Sequence, residues 1–134
     1  MVDVPSEGFY VLFTYLLTGE ERTTYSQALA PLRPFDPCRP LRAGGAWEFV
    51  ARVSRLHVDE VVFAAGPARL ADPAQFSTGV TELTLGFNWY LNKYVRTQFN
   101  WEHAWFDDLV RLGPGASGRL NHQDSVLARF QIIF

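Results

Sequence analysis

The sequence lacks several features that identify common protein classes. Its 134 residues include one cysteine, Cys38, so no internal disulfide can form and no Cys/His cluster offers a metal site. The formal net charge is −2, and no basic surplus points to nucleic acid. No apolar run is long enough for a membrane-spanning helix. The composition therefore argues against a disulfide-stapled protein, a nucleic-acid binder and a helical membrane protein.

Signatures of catalysis are also missing. The acidic pair Asp107-Asp108 has no base or nucleophile near it in sequence, and we interpret it as a solvated pair that opens a loop. His57, His103 and His122 fall on different predicted strands or loops, which argues against a shared metal. There is no nucleophile elbow, and Gly113 to Gly118 lacks the Lys-Ser/Thr partner of a phosphate loop. We therefore predict no enzyme, no cofactor and no metal.

The most informative stretch runs from Thr81 to Trp105 and alternates with a period of two. One face is apolar and aromatic, and the residues between are polar, small or charged. The first face carries Leu83, Leu85, Phe87, Trp89, Leu91, Val95, Thr97, Phe99, Trp101, His103 and Trp105. A period of two over this length indicates strands, and no helix explains it. We predict a long β-hairpin.

The faces of the hairpin also predict its turn, because paired residues point to the same side of a sheet. A two-residue turn would pair apolar with polar residues. A three-residue turn, Asn92–Tyr94, keeps both faces pure. It places Phe87 opposite Phe99, and it places Tyr90 opposite Arg96. Asn suits the first turn position because its side chain can bond the nearby backbone.

Three further segments alternate in the same way, and the aromatic share of 15% favours strands. The predicted strands are 8–18, 46–58, 80–91, 95–106 and 123–134. Between them lie a Pro-rich, solvated connection, Gly19–Gly45, and two loops, Asp59–Thr78 and Asp107–Asn121. A short additional strand is predicted at Val61–Phe63. We predict an all-β chain that forms one segment over residues 1–134, an antiparallel meander of about five long strands.

Strands with one apolar and one polar face occur in soluble sandwiches and in outer-membrane barrels. Val95 to Trp105 spans ~33 Å at about 3.3 Å per residue. With a tilt of ~40° this strand rises ~25 Å, the height of the lipid-facing band of such barrels. Aromatic residues sit near both ends, as in interfacial girdles, and we expect His103 among them. The pattern favours a membrane barrel. A soluble lipocalin-like ligand-binding barrel and a structural outer-membrane barrel without transport remain alternatives.

Specific motifs extend this interpretation. The segments GFYVLFTYLLTGEER, GAWEFVARVSRL and LTLGFNWYLNKYVRTQFNWEH, followed by a last strand ending in Phe134, resemble the C-terminal third of the phosphate-selective porin O/P family in order and spacing. The resemblance covers nearly the whole chain from Gly8 onward. It implies a trimeric, many-stranded barrel in the bacterial outer membrane and passive diffusion of small anions such as phosphate. The last strand also resembles the targeting signal of bacterial outer-membrane barrels, whose terminal aromatic is read by the barrel-assembly machinery.

The resemblance supplies no solute-binding cluster, so the candidate site residues come from the two faces. The residues predicted to line the pore are Arg52, Arg96, Gln98, Asn100, Arg129, Gln131, Glu48, Glu82 and Glu102. The residues predicted to face lipid are Phe87, Trp89, Phe99, Trp101, Phe130, Ile132 and Phe134. Three arginines balance three glutamates on the polar face, so counting charges does not predict anion selectivity for this segment.

Topology follows from the parity of the strands. With Phe134 at the periplasmic side, the turn Asn92–Tyr94 and the connection Gly19–Gly45 are periplasmic, and Asp59–Thr78 and Asp107–Asn121 are extracellular. Five strands cannot close a lipid-exposed barrel, since single-chain barrels start at ~8 strands and an open edge in lipid leaves backbone groups unpaired. We therefore expect the chain to be the C-terminal part of a longer porin. Its start, MVDVPSEGF, lacks the basic and apolar regions of a signal peptide.

Overall fold

The computed structural model describes residues 5–22, 24, 28–39, 44–64, 66, 69–111, 113 and 118–134. Five strands form one sheet: β1 (Ser6–Leu16), β2 (Ala46–Val58), β3 (Gly79–Tyr90), β4 (Val95–Val110) and β5 (Leu120–Ile132). The strand order is β1-β2-β3-β4-β5, so each strand pairs with its neighbour in the chain and β1 and β5 are the two edges. The predicted all-β meander of five long strands in an open sheet is confirmed.

The strand ends show where the sequence was harder to interpret. β2 has the predicted bounds, and β1 and β3 end one or two residues early. The predicted loop Asp107–Asn121 is wrong at both ends, because β4 continues to Val110 and β5 begins at Leu120. Acidic residues are unfavourable in strands, which made the pair Asp107-Asp108 resemble the start of a loop. Much of Gly113–Gly118 and parts of Gly19–Gly45 lie outside the described residues.

The predicted strand at Val61–Phe63 is also wrong, since this segment belongs to a single turn of 3₁₀ helix, Glu60–Phe63. Asp59 precedes the turn and its carboxylate accepts a hydrogen bond from the backbone N–H of Val61 at 2.9 Å. An Asp side chain that bonds the backbone two residues on favours a helical turn over a strand. The local capping contact therefore outweighs the β-propensity of the two valines.

The hairpin turn between β3 and β4 has the predicted three residues. The N–H of Leu91 donates to the carbonyl of Val95 at 2.9 Å, which pairs the two residues that flank Asn92–Tyr94. The side-chain oxygen of Asn92 accepts from the N–H of Tyr94 at 2.8 Å and from that of Val95 at 3.0 Å. Asn92 thus stabilises the turn through its side chain, as expected.

Cross-strand contacts confirm the predicted register of the hairpin. The side chain of Gln98 donates to that of Asn88 at 2.9 Å. The guanidinium of Arg96 lies 6.0 Å from the ring centroid of Tyr90. Both pairs are those that a three-residue turn brings face to face. The polar side chains between Leu83 and Glu102 therefore share one face, as the alternation predicted.

The chain divides into two compact units, and every strand contributes to both. The loop-side unit comprises Met1–Val11, Arg52–Leu83 and Glu102–Ser125; the turn-side unit comprises Leu12–Ala51, Thr84–Trp101 and Val126–Phe134. The turn-side unit has a small apolar cluster of Leu29, Ala46 and Tyr90, with Leu16 packed against it. In the loop-side unit, Val62 and Val110 are buried. Among the residues that the structure describes, few large apolar side chains of either unit are buried.

Candidate functional site

The apolar face of the sheet is largely uncovered by the described residues. Phe99 is 51% exposed and Phe130 is 63% exposed. Other exposed members of this face are Phe9, Val11, Phe13, Tyr15, Val53, Phe87, Trp101, Trp105, Val126 and Ile132. Apolar patches on soluble monomers rarely exceed a few hundred Å², so the exposure of this many large apolar side chains marks a surface for a membrane or a partner.

Tryptophan and phenylalanine rings on this face pack across β2 and β3. The rings of Trp47 and Trp89 stack at 5.2 Å, and those of Phe49 and Phe87 meet at 5.5 Å with a tilt of 60°. Trp89 also contacts Phe35 edge-on at 5.1 Å. Such aromatic pairs stabilise a sheet beyond the area they bury. They hold the turn-side end of β2 and β3 in register.

The opposite, polar face carries a buried network around Glu48. This residue is 2% exposed. Its carboxylate accepts from Arg22 at 2.9 Å, from the amide of Asn88 at 2.8 Å and from the hydroxyl of Tyr90 at 2.7 Å. Arg22 also donates to the Tyr90 hydroxyl at 2.8 Å. A buried carboxylate is costly unless donors surround it, and three donors meet that requirement here.

The Glu48 network shows that part of the connection Gly19–Gly45 packs onto the polar face. Burial lowers the pKa of Arg22, but its contacts with Tyr90 and Glu48 outweigh that effect and raise the pKa above its ordinary value, so Arg22 stays charged. Glu20 is also buried and accepts from the N–H of Leu32 at 3.1 Å. The prediction of a wholly solvated connection is therefore wrong for these residues.

Backbone contacts fix the end of this connection beside the hairpin. The N–H of Phe35 donates to the carbonyl of Leu91 at 2.8 Å, and the N–H of Gly45 donates to that of Arg33 at 2.6 Å. Gly45 has a φ of 87°, and an added Cβ would lie 2.7 Å from the carbonyl of Tyr90. Glycine is required there because both the backbone conformation and the close approach exclude a side chain.

Charged side chains on the polar face divide into paired and unpaired groups. Arg52 forms a salt bridge with Glu82 at 2.5 Å, in addition to the Arg22–Glu48 pair. Arg96 instead donates through Nε to the side-chain oxygen of Gln131 at 2.9 Å. Within the part of the chain that the structure describes, Arg96 has no carboxylate within salt-bridge distance. Its positive charge is therefore not cancelled locally.

The remaining predicted pore-lining residues lie on the same alternating face. Gln98 contacts Asn88, and Asn100 lies against Gly86, where an added Cβ would meet the Asn100 side chain and lie 2.7 Å from the carbonyl of Phe99. Glycine inside β3 thus admits the Asn100 side chain. Glu102 and Arg129 occupy alternate positions of β4 and β5 on this face, and neither forms a salt bridge with a residue that the structure describes.

The loop-side unit places ionic groups on the apolar face. Arg55 forms two hydrogen bonds with the carboxylate of Asp107, at 2.9 and 2.5 Å, and a third with the Thr81 hydroxyl at 2.8 Å. Asp108 accepts from the N–H and the hydroxyl of Thr78 at 2.9 and 2.8 Å. The interpretation of Asp107 and Asp108 as loop residues is wrong, because both lie in β4, although both stay exposed as expected. Their partners on and next to neighbouring strands explain why β4 extends past Phe106.

Two of the three histidines come together because β4 and β5 are neighbours. The Nδ1 atom of His103 lies 2.8 Å from Asp124, and its ring lies 5.9 Å from that of His122 and 4.2 Å from that of Trp105. His57 lies on β2. Among the described residues no group of three or more His, Cys, Asp or Glu side chains is arranged to hold a metal ion.

An exposed apolar face and a polar, charged face on long antiparallel strands are typical of outer-membrane barrels. A family model described as phosphate-selective porin O and P matches residues 1–134. The chain belongs to this family. No curated protein matches it. In the part of the chain that the structure describes, no helix is long and apolar enough to cross a membrane.

Family membership indicates which environment surrounds the two faces of the sheet. The porin is a protein of the bacterial outer membrane, embedded in the lipid bilayer, and its family consists of channels. This finding decides against the soluble lipocalin-like alternative.

Sequence reasoning missed two contributors to the polar face of the porin. Arg22 had no signal, because it follows a strand in a stretch that composition marks as a loop. Lys93 belongs to the hairpin turn, and its ammonium lies 4.7 Å from the ring centroid of Tyr94. Asn88 and Tyr90 could have been found, since the alternation already placed them on the polar side.

Proposed function

We propose that the porin allows small anions, phosphate among them, to diffuse passively through a water-filled barrel, and that this chain forms one segment of the barrel wall. The observation that carries the proposal is the unequal pairing of charges on the polar face. Arg22 and Arg52 are neutralised by Glu48 and Glu82. Arg96 keeps its charge beside the neutral Gln131.

The size of the Arg96 effect supports a role in selectivity. At ~6 Å in water, a unit charge attracts a monovalent anion by about 0.7 kcal/mol and repels a cation by the same amount. The difference of about 1.4 kcal/mol corresponds to roughly a tenfold preference. Salt reduces this preference, because the Debye length is about 8 Å at physiological ionic strength. The preference is therefore largest in dilute electrolyte.

The connection between β1 and β2 narrows the channel in this proposal. Arg22 reaches the polar face at Glu48, and Leu29 packs against Tyr90 on the same unit. We place this connection and the turn Asn92–Tyr94 at the periplasmic side, where short turns of outer-membrane barrels lie. The segments 59–78 and 111–119 are then extracellular.

The apolar face meets acyl chains in the same proposal. The lipid-facing residues are Phe87, Trp89, Phe99, Trp101, Phe130, Ile132 and Phe134, and the exposure of all of these side chains except the half-buried Trp89 supports the assignment. A charged side chain there would cost ~2–4 kcal/mol near the bilayer midplane. We further propose that the complete porin is a homotrimer and that the barrel-assembly machinery reads the strand ending in Phe134.

Ion selectivity tests the proposal directly. The porin is inserted into planar bilayers, and the reversal potential is measured across a tenfold gradient of dilute KCl. We expect the sign of an anion-selective channel. Arg96→Glu should shift the potential toward cation selectivity, because it reverses the uncancelled charge, whereas Arg55→Gln, on the other face, should leave the potential unchanged.

A cation-selective wild type would overturn the proposal. Equal shifts from Arg96→Glu and Arg55→Gln would also contradict it, since the two arginines would then face the same aqueous space.

A further inference from the structure

A cavity of about 230 Å³ lies on the polar face of the turn-side unit, beneath the connection that carries Arg22. Cavities that hold drug-sized ligands measure about 300–1,000 Å³, so this one suits a smaller molecule. Its charged lining consists of Arg22, Glu48, Lys93 and Arg96. The cavity thus combines a small volume with several ionic groups.

The charges around the cavity do not cancel. Glu48 is matched by Arg22 at 2.9 Å and also accepts from Asn88 and Tyr90. Arg96 and Lys93 have no carboxylate within salt-bridge distance among the residues that the structure describes. The cavity therefore carries an uncancelled positive charge and favours an anion.

Arg96 also has donors to offer that anion. Its Nε donates to Gln131, which fixes the guanidinium plane and leaves its two Nη groups without a hydrogen bond to a described residue. Two Nη groups form a fork that binds a carboxylate with two parallel hydrogen bonds. The orientation of Arg96 is thus suited to a planar oxyanion.

Much of the cavity wall is apolar, which restricts the kind of anion. Apolar and aromatic residues of this wall include Leu12, Leu29, Val50, Tyr90 and Ile133. Each oxygen of a phosphate ion needs a donor when it leaves water. Thr14, Asn88 and Asn92 also line the cavity, but the amide of Asn88 already donates to Glu48, and the apolar part of the wall supplies no donor. An organic anion instead places its hydrocarbon part against such a wall and gains from removing it from water.

We propose that this cavity is a subsite for small monocarboxylates that carry an aromatic or short aliphatic group. The carboxylate pairs with Arg96 and the Lys93 ammonium, and the hydrocarbon part lies against Leu29, Val50 and Tyr90. The proposal rests on the proposed function, because the subsite lies on the face assigned to the channel wall. It adds a class of organic solutes to the inorganic anions.

Block of the ionic current tests the subsite, with sodium benzoate and sodium acetate as probes. The porin purified from outer membranes is placed in planar bilayers in dilute KCl, and each probe is titrated until half of the chloride current is lost. Benzoate should block at a concentration about tenfold lower than acetate, the change expected from burying roughly 60 Å² of apolar surface.

Matched variants locate the effect. Val50→Thr keeps the shape of the side chain but adds a hydroxyl to the wall, so it should reduce the preference for benzoate several-fold and leave acetate block unchanged. Arg96→Gln should weaken block by both probes. Val53→Thr, on the apolar face of the same strand, is the control and should change neither.

The outcomes separate this proposal from the one it rests on. Equal block by benzoate and acetate in an anion-selective channel would overturn the subsite and leave anion diffusion standing. A benzoate preference that survives both Val50→Thr and Arg96→Gln would also overturn it. A cation-selective channel would overturn the proposed function itself.

Discussion

The contact between Arg22 and Glu48 should hold the connection between β1 and β2 against the polar face, and Arg22→Gln tests this. The side chain of Glu48 is 3% exposed, and that of Arg22 is 18% exposed. The substitution removes a charge-assisted hydrogen bond but leaves the donors Asn88 and Tyr90 in place. A bond of that kind contributes about 1.5–3 kcal/mol, so we expect a loss of roughly 2 kcal/mol.

Hydrogen exchange at Phe35 reports this loss. Its N–H donates to the carbonyl of Leu91, so it exchanges when the connection leaves the hairpin. A loss of about 2 kcal/mol increases the released fraction, and hence the exchange rate, roughly thirtyfold. Arg39→Gln is the control, since Arg39 is an exposed arginine of the same connection. The single-channel conductance should also rise in Arg22→Gln, because the released connection no longer narrows the channel.

Unchanged protection of the Phe35 amide in Arg22→Gln would refute this reasoning. It would mean that backbone contacts, and not the buried ion pair, hold the connection. An equal increase in the exchange rate of the Phe35 amide in Arg39→Gln would refute it too, because removing any arginine from the connection would then have the same effect.

Two further predictions concern the apolar face and an exposed loop. Phe99→Arg should lower the free energy of folding into bilayers by ~2–4 kcal/mol, measured by urea titration in vesicles, whereas Phe99→Leu should have a much smaller effect; a silent Phe99→Arg would mean that the faces are reversed. The backbone N–H of Ala74, followed by the attraction of Arg69, holds the pKa of Asp72 below its ordinary value. A depressed folded pKa stabilises the loop above the unfolded pKa, about 3.9, and this contribution is lost as pH falls through the folded pKa. The protection factor of the Ala74 amide, which corrects for the intrinsic slowing of exchange in acid, should therefore fall as pH drops below about 4, and this fall should be absent in Asp72→Asn. A protection factor without this pH dependence would contradict the prediction.

The features that the sequence predicted well are those that depend on local geometry. Alternation has a fixed period of two in a strand, so the faces of β3 and β4 could be assigned residue by residue. A turn of odd length was then required to keep the faces pure. The contacts Asn88–Gln98 and Tyr90–Arg96 follow from these two steps.

The features that the sequence did not predict depend on distant partners. Asp107 lies in a strand because Arg55, 52 residues away in the chain, neutralises it. Arg22 lies on the polar face because it donates hydrogen bonds to Glu48 and Tyr90, which are 26 and 68 residues away in the chain. Composition describes such residues only as charged and therefore solvated. The energetic gain of such an ion pair appears once the sheet has brought the partners together.

Ion selectivity is another feature that depends on partners distant in the sequence. A count of charges on the polar face gives three arginines and three glutamates, which predicts no preference. The structure shows which of these charged side chains form ion pairs and which do not. Glu48 and Glu82 are occupied by Arg22 and Arg52, and Arg96 faces a neutral amide. Among the described residues Glu102, Arg96 and Arg129 form no salt bridge, so two unpaired arginines face one unpaired glutamate. The uncancelled charge therefore arises from which residues meet, and no linear pattern contains that information.

Aqueous access to adjacent residues of β4 tests the central claim most directly. Gln98 and Phe99 are neighbours in sequence and lie on opposite faces, so Gln98→Cys and Phe99→Cys form a matched pair in a Cys38→Ser background, which removes the exposed native thiol. A membrane-impermeant anionic thiol reagent is added to the porin in planar bilayers. We predict that the reagent modifies Gln98→Cys quickly and reduces the current, and that Phe99→Cys stays unmodified in the bilayer. Rapid modification of Phe99→Cys with an inert Gln98→Cys would contradict the assignment of the polar face to the channel.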